Sequence, residues 1–330
     1  MKNKTVSSFA VLIIASTIAL VGGATIIQAA DFTATLSGNW ALGATWGNPG
    51  NNVVNSGYPG AGDTATINSG VSVTNAAAAA CATLTVNGTL AANQAITVSG
   101  NTLFSSTGAY TCTTSTGTRT FTGDVTLDAG STWSSTAAGP CSFGGNFVNN
   151  ATSFSGNGTY TFTGASKTIS GATTTALTAM SVSGSYTSSG TVTVSGTLTL
   201  AGTLLNNGTF SFGGSSGAGT LTQGTGANLT FTQNNGVAPS FTIAATALGN
   251  TVTYSGSGSP IKSTTYHNLT LSGSGSASAT WGSITVNGTM TVGGTVTVNN
   301  FSGTFGALTV SGGLPTANAV VNVSGNLIVS

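Results

Sequence analysis

A short phrase recurs along most of this 330-residue chain: four or five alternating apolar and polar residues, then Ser, Asn or Thr, then Gly. Strict alternation of this length is typical of a half-buried β-strand. Asn-Gly or Ser-Gly supplies the positive φ of a tight turn. The sequence therefore predicts an all-β protein with almost no helix. Clear examples of the phrase are LTVNG (84–88), ITVSG (96–100), VTVSG (192–196), LTLSG (269–273) and ITVNG (284–288).

Two all-β architectures fit such a pattern. The turns could join antiparallel hairpins into a sandwich, or each turn could be one corner of a coil in a parallel solenoid. Recurrence of the phrase without domain punctuation favours the solenoid. We expect a single-stranded parallel β-helix over 76–330, preceded by a small cap over 31–75. Coils of roughly 20 residues would form a rod on the order of 60 Å long.

The composition excludes several partners. Only 3% of the residues are charged, none is glutamate, and the formal net charge is +1. Nucleic acid and anionic membranes are bound by clustered lysine and arginine, which this chain lacks. Disorder is also excluded, because 39% of the residues are apolar, whereas disordered chains combine low hydrophobicity with high charge.

The N-terminus predicts a secretory signal peptide over residues 1–30. Lys2 and Lys4 form a basic region, 9–21 is apolar, and Ala29 and Ala30 suit cleavage. The alternative is an uncleaved membrane anchor, which the glycines and polar residues near its end disfavour. We therefore expect an extracellular or cell-surface protein with no membrane span after cleavage.

Three cysteines remain in the mature chain: Cys81, Cys112 and Cys141. Their number is odd and too small for a disulfide scaffold. One interpretation is that all three are small buried hydrophobes. The alternative is a single bridge between Cys112 and Cys141, which the oxidising destination of a secreted protein permits.

The sequence offers no catalytic or metal-binding group of side chains. Asp124 and Asp128 are the nearest pair of carboxylates, but four residues of strand separate them by about 13 Å, whereas glycoside hydrolysis needs a closer pair. His267 is the only histidine, with no second histidine or cysteine near it in sequence. We predict no enzyme activity, no cofactor and no metal.

Three residues of the 31–75 segment are assigned to a structural cap. Trp40 and Trp46 are expected to cover the open end of the solenoid core, as terminal repeats must; stacking on sugar is the alternative. Asp63 is expected to accept backbone N–H groups in its turn.

The same segment carries a resemblance to a known group of proteins. GNWALGATWG, YPGAGDTATINSGVSVT and ATLTVNGTL resemble the opening of bacterial surface proteins that have a Trp-rich cap and a P-G-x-G-D turn before a right-handed parallel β-helix. The opening is also similar to the glycine-rich G8 domain. Two later stretches, starting at Cys141 and Thr251, are similar to repeats of the same secreted proteins. The resemblance implies a fold and an extracellular setting, but no chemistry.

The leading functional hypothesis is a secreted, non-enzymatic structural protein of the cell surface or extracellular matrix, serving as an adhesin-like stalk. A carbohydrate-binding or carbohydrate-cleaving β-helix is the alternative. A lesser alternative is an ice-binding solenoid, because the chain has Thr-x-Thr arrays at 191/193, 197/199 and 295/297. Threonine is also the common uncharged residue on outward strand positions.

Expected partners are other cell-envelope components, surface glycans or a second copy of the chain. The sequence stops at VNVSGNLIVS, within the repeat pattern and without a translocator barrel, sorting motif or membrane tail. An unpaired strand edge invites strand addition. We therefore expect either end-to-end association or a longer parent protein.

Alternation also predicts which side chains face the core between 190 and 214, and the NNG sequence at 206–208 is expected to turn a corner. Outward positions are Thr191, Thr193, Thr197 and Thr199. Inward positions are Val192, Val194, Leu198, Leu200, Phe210 and Phe212.

Overall fold

The protein is a parallel β-solenoid. A computed structural model describes residues 29–114, 116–232, 239–256, 261–273, 284–293, 303–310, 321–323 and 325–329. Every strand pairing within these ranges is parallel, and the only helical element described is one 3₁₀ turn at Gly43–Trp46. The predicted all-β solenoid is confirmed, and the sandwich alternative is wrong. The predicted signal peptide lies almost wholly outside the described residues, and Thr295 and Thr297 also lie outside them.

Short strands form the first half of the solenoid. They are β1 (Asp31–Ala34), β2 (Gly38–Asn39), β3 (Thr64–Ile67), β4 (Ser72–Thr74), β5 (Ala79–Cys81), β6 (Thr83–Val86), β7 (Thr89–Ala91), β8 (Ile96–Val98), β9 (Thr102–Phe104), β10 (Ala109–Cys112), β11 (Arg119–Phe121), β12 (Val125–Leu127), β13 (Thr132–Ser135), β14 (Cys141–Phe143) and β15 (Phe147–Asn149).

Longer strands appear in the second half. They are β16 (Ser153–Phe162), β17 (Lys167–Ser170), β18 (Thr175–Val182), β19 (Ser185–Ser188), β20 (Thr191–Leu200), β21 (Thr203–Asn206), β22 (Thr209–Ser216), β23 (Thr220–Gln223), β24 (Asn228–Phe231), β25 (Thr242–Ala244), β26 (Thr251–Tyr254), β27 (Thr265–Tyr266), β28 (Asn268–Leu271), β29 (Ile284–Val292), β30 (Gly303–Val310), β31 (Val321–Val323) and β32 (Leu327–Val329).

Two sheets run along the solenoid. The first sheet has eleven strands in the order β1-β3-β6-β9-β12-β15-β17-β19-β21-β23-β25. At a strand spacing of about 4.8 Å, this sheet is roughly 50 Å long. The remaining strands form the second sheet, in which the pairings among the long strands β16, β18, β20 and β22 and between β29 and β30 contain register shifts. The 31–75 segment contributes β1 and β3 to the first sheet, and no break in pairing separates it from 76–330.

The core is one continuous column of inward side chains. Buried apolar residues form a single cluster from Phe32 to Val310. Between β20 and β22 the register pairs Val192 with Phe210 and Val194 with Phe212, so that residues of successive coils stack directly. All six side chains predicted to face inward in this region are at most 1% exposed. The inward and outward predictions for this region are confirmed.

The glycine that ends each phrase has a different role from the predicted one. Gly88, Gly100, Gly123 and Gly196 do not have positive φ, so the left-handed turn expected at the Asn-Gly and Ser-Gly pairs among them is wrong. Each instead lies close to the backbone of the coil before it. A Cβ on Gly123 would be 2.3 Å from the carbonyl carbon of Gly100. Glycine is required because successive coils approach too closely for a side chain.

Buried asparagines stabilise the corners. Asn206, the first residue of the NNG sequence, is fully buried. Its Oδ1 accepts the Gly208 N–H (3.1 Å), and its Nδ2 donates to the Asn228 carbonyl in the next coil (2.9 Å). Asn149 makes the same pair of bonds, to the Ala151 N–H and to carbonyls of the following coil. NNG therefore turns a corner, as predicted, and its first side chain also joins two coils.

Candidate functional site

The two tryptophans of the N-terminal segment are buried. Trp40 and Trp46 are 2% and 4% exposed, and their rings meet edge to face at a centroid distance of 5.0 Å. The Trp46 Nε1 donates to the Trp40 carbonyl (2.7 Å), and the Trp40 Nε1 donates to the Pro59 carbonyl (3.2 Å). Neither ring presents a face to solvent on which a sugar could stack.

Asp63 is the one carboxylate buried among the described residues, at 1% exposure. Its Oδ2 accepts the Gly60 N–H, which closes the P-G-x-G-D turn, and its Oδ1 accepts the Ala30 N–H, both at 2.9 Å. Hydrogen bonds from backbone N–H groups stabilise a buried carboxylate. Asp63 thereby attaches the chain entering β1 to the turn before β3.

The structure does not bring Asp124 and Asp128 together, because they flank opposite ends of β12. The Asp124 Oδ1 accepts the Asn146 N–H (2.8 Å). This backbone hydrogen bond, the Asn146 side-chain amide and Lys167 lower the pKa of Asp124, against a smaller opposing effect of burial. Asp124 borders a shallow depression on the first sheet, whose other lining residues carry no titratable group: Thr83, Leu84, Thr85, Asn101, Thr102, Leu103 and Thr126. The depression therefore holds a single carboxylate, whereas glycoside hydrolysis requires two.

His267 lies between β27 and β28. Its Nδ1 is 3.3 Å from the Asn268 Oδ1, and its backbone N–H donates to the Ala245 carbonyl. Within the described residues, no three of His, Cys, Asp and Glu lie close enough together to hold a metal ion. The described ranges also include no helix long and apolar enough to cross a membrane.

The most unusual group of side chains is inside the solenoid, around Arg119. Arg119 is 0% exposed, although arginine is rarely fully buried unless it is paired. Its Nε and Nη2 both donate to the Ala92 carbonyl, at 2.9 and 2.7 Å, and further bonds reach the carbonyls of Thr114 and Gly117. The guanidinium therefore binds backbone carbonyls at one corner instead of a carboxylate.

The three cysteines are buried and free. This arrangement supports the interpretation of small buried hydrophobes over a bridge between Cys112 and Cys141. The Cys141 Sγ is 3.9 Å from the Tyr110 hydroxyl. Burial raises the pKa of Cys81 and of Cys141 to about 12, and the nearby Asp63 contributes at Cys81. A protonated, enclosed thiol is a poor nucleophile.

We expect alkylation to distinguish native from unfolded thiols. With iodoacetamide at pH 8 and no reductant, Cys81 and Cys141 should stay unmodified in the folded protein, because they are protonated and inaccessible. In guanidinium chloride without reductant, all three cysteines should be modified, as read by peptide mass spectrometry. An unfolded sample treated with reductant is the control; cysteines labelled only in that sample would reveal a disulfide.

Comparison with known proteins adds no relative to this description. No protein-family profile, no curated protein and no solved structure matches the chain. Function must therefore be argued from the solenoid itself.

Proposed function

We propose that this chain is a secreted, non-enzymatic structural protein of the cell surface or extracellular matrix, which acts as a stiff stalk. The observation that carries the proposal is the single core from Phe32 to Val310, enclosed by in-register parallel strands. A solenoid of this kind spaces two objects at a fixed distance, because each coil packs on its neighbours.

The distribution of polar groups supports the same proposal. The described carboxylates do not converge: Asp63 is buried in its own turn, and Asp124 and Asp128 are held apart by β12. Catalysis requires several titratable groups to converge on one substrate. The basic and apolar segments at the N-terminus, with small residues before Asp31, support export. Cell-envelope components, surface glycans and a second copy of the chain are the proposed partners.

The test is export followed by adhesion. When it is expressed from Met1 in a bacterial host, the chain should appear outside the cytoplasm, and its mass should be that of a chain that begins at Ala30 or Asp31. A variant without residues 1–29 should stay in the cytoplasm. Beads coated with the exported protein should then adhere to cells or matrix without any turnover of polysaccharides in solution. Cytoplasmic retention of the uncleaved chain, or release of sugars from a polysaccharide, would refute the proposal.

A further inference from the structure

One outward face of the second sheet is a regular array of hydroxyl groups. It lies on the six strand segments that contain Val192, Phe210, Leu229, Val252, Leu269 and Met290, which stack in one inward row. The residue after each of these forms an outward row: Thr193, Ser211, Thr230, Thr253, Thr270 and Thr291. The residue before each forms a second row, with threonine in four segments and asparagine in two. We call these two rows the hydroxyl array.

The array repeats in two directions. Parallel pairing without slippage separates neighbouring strands by about 4.8 Å and alternate residues of one strand by about 6.6 Å. The register shifts of these long strands fall outside the array, between Val194 and Thr197 and between Val286 and Thr289. Threonine is β-branched and restricted at χ1, so its hydroxyl and methyl groups recur at fixed places. The buried row beneath, including Phe210 and Met290, supports the array along its length.

The array also carries no charge, unlike the first sheet. Asp31 and Asp124 are on or beside the outward face of the first sheet, whereas every member of the array is threonine, serine or asparagine. Charged ligands are recognised by complementary charge, and sugars by exposed aromatic rings, which the array does not have. The matching partner is an uncharged lattice of hydrogen-bonding groups with two repeats of similar length.

We propose that the hydroxyl array binds the surface of ice. The two repeats of the array are close to the oxygen spacings on faces of hexagonal ice, and the rigid threonines can hold a layer of ordered water in that arrangement. Side chains that are fixed before binding lose little conformational entropy when they bind, and bridging waters serve nearly as well as direct hydrogen bonds. This inference does not depend on the stalk function: either can fail while the other stands.

A matched pair of substitutions tests the site. Thr253→Tyr places a bulky ring in the middle of the array, and Thr126→Tyr places the same ring on the outward face of the first sheet. Both positions are outward in strands, where tyrosine is favoured, so both variants should keep the wild-type melting temperature and circular dichroism. Thr230→Tyr, in the neighbouring strand, replaces Thr253→Tyr if that variant does not fold.

Thermal hysteresis and incorporation into a growing ice hemisphere are the readouts. We expect the purified wild type and Thr126→Tyr to shape ice and enter it, and Thr253→Tyr to lose most of the hysteresis. Folded wild-type protein without hysteresis would overturn the proposal, as would equal loss in both variants. Two other results would overturn the proposal in favour of another partner, provided that the protein has no effect on ice growth. One is pelleting of the protein with crystalline cellulose or chitin. The other is dimerisation in light scattering that Thr253→Tyr abolishes.

Discussion

Replacing Trp133 with alanine is expected to lower the free energy of unfolding by about 3–5 kcal/mol, the range for truncating a large buried aromatic residue. The side chain is 0% exposed, and its ring stacks on that of Tyr110 at a centroid distance of 3.7 Å. Its Nε1 donates to the Tyr160 hydroxyl (2.9 Å). Alanine would leave a cavity and would remove one of the hydrogen bonds of the buried Tyr160 hydroxyl. Urea denaturation followed by far-ultraviolet circular dichroism measures the change.

Trp133→Phe is the matched control for this substitution. Phenylalanine keeps most of the ring volume between Tyr110 and Phe154, but it cannot donate to Tyr160. We therefore expect a loss clearly smaller than that of Trp133→Ala, about 0.5–1.5 kcal/mol from the lost hydrogen bond. Equal stability of the alanine variant and the wild type would show that the stacked aromatic column contributes little to the free energy of unfolding.

The alternation of residues was sufficient to predict which side chains enter the core. Successive side chains of a strand point to opposite faces, so a single buried neighbour such as Phe210 sets the direction of all the others in its strand. A solenoid adds a second condition, because each coil must repeat the pattern of the one before. Val192, Phe210 and Leu229 stack for this reason.

The role of the phrase glycines could not be obtained from local turn chemistry. Asn-Gly and Ser-Gly are associated with positive φ in hairpins, and that association misled the prediction at Gly88 and Gly100. The contact that requires glycine is made with the coil before, about 20 residues earlier in sequence. A local sequence pattern does not reveal a contact between residues so far apart in sequence. The regular spacing of the glycines along the chain is the only sign of this contact.

Arg119 illustrates a second limit. In the strand Arg119–Phe121, alternation places Arg119 on the same side as the buried Phe121, but arginine is rarely fully buried unless paired. Its main acceptor, the Ala92 carbonyl, is 27 residues away. The alternating pattern therefore indicated that Arg119 is buried, whereas its residue type alone suggested that it is exposed.

A second large fall in the free energy of unfolding is expected when a glycine at a close approach of two coils is replaced. Gly164, Gly184, Gly202 and Gly219 stack at one corner, and a Cβ on Gly184 would be 1.9 Å from the Gly164 carbonyl oxygen. Because backbone cannot move aside as a flexible side chain can, Gly184→Ala should force the two coils apart. We expect the free energy of unfolding to fall by about 1–3 kcal/mol, as for other overpacked sites, and urea denaturation measures it.

Gly62→Ala provides a control of opposite sign. Gly62 is exposed, is not in the left-handed region, and has no atom within 4 Å of its Cβ position. Alanine there restricts only the unfolded chain and should raise the free energy of unfolding by about 0.4–1 kcal/mol. Since the two substitutions are chemically identical, a difference in sign isolates the approach of the coils from the intrinsic cost of glycine. If Gly184→Ala instead matched Gly62→Ala, close packing at the corner would not be the reason for glycine.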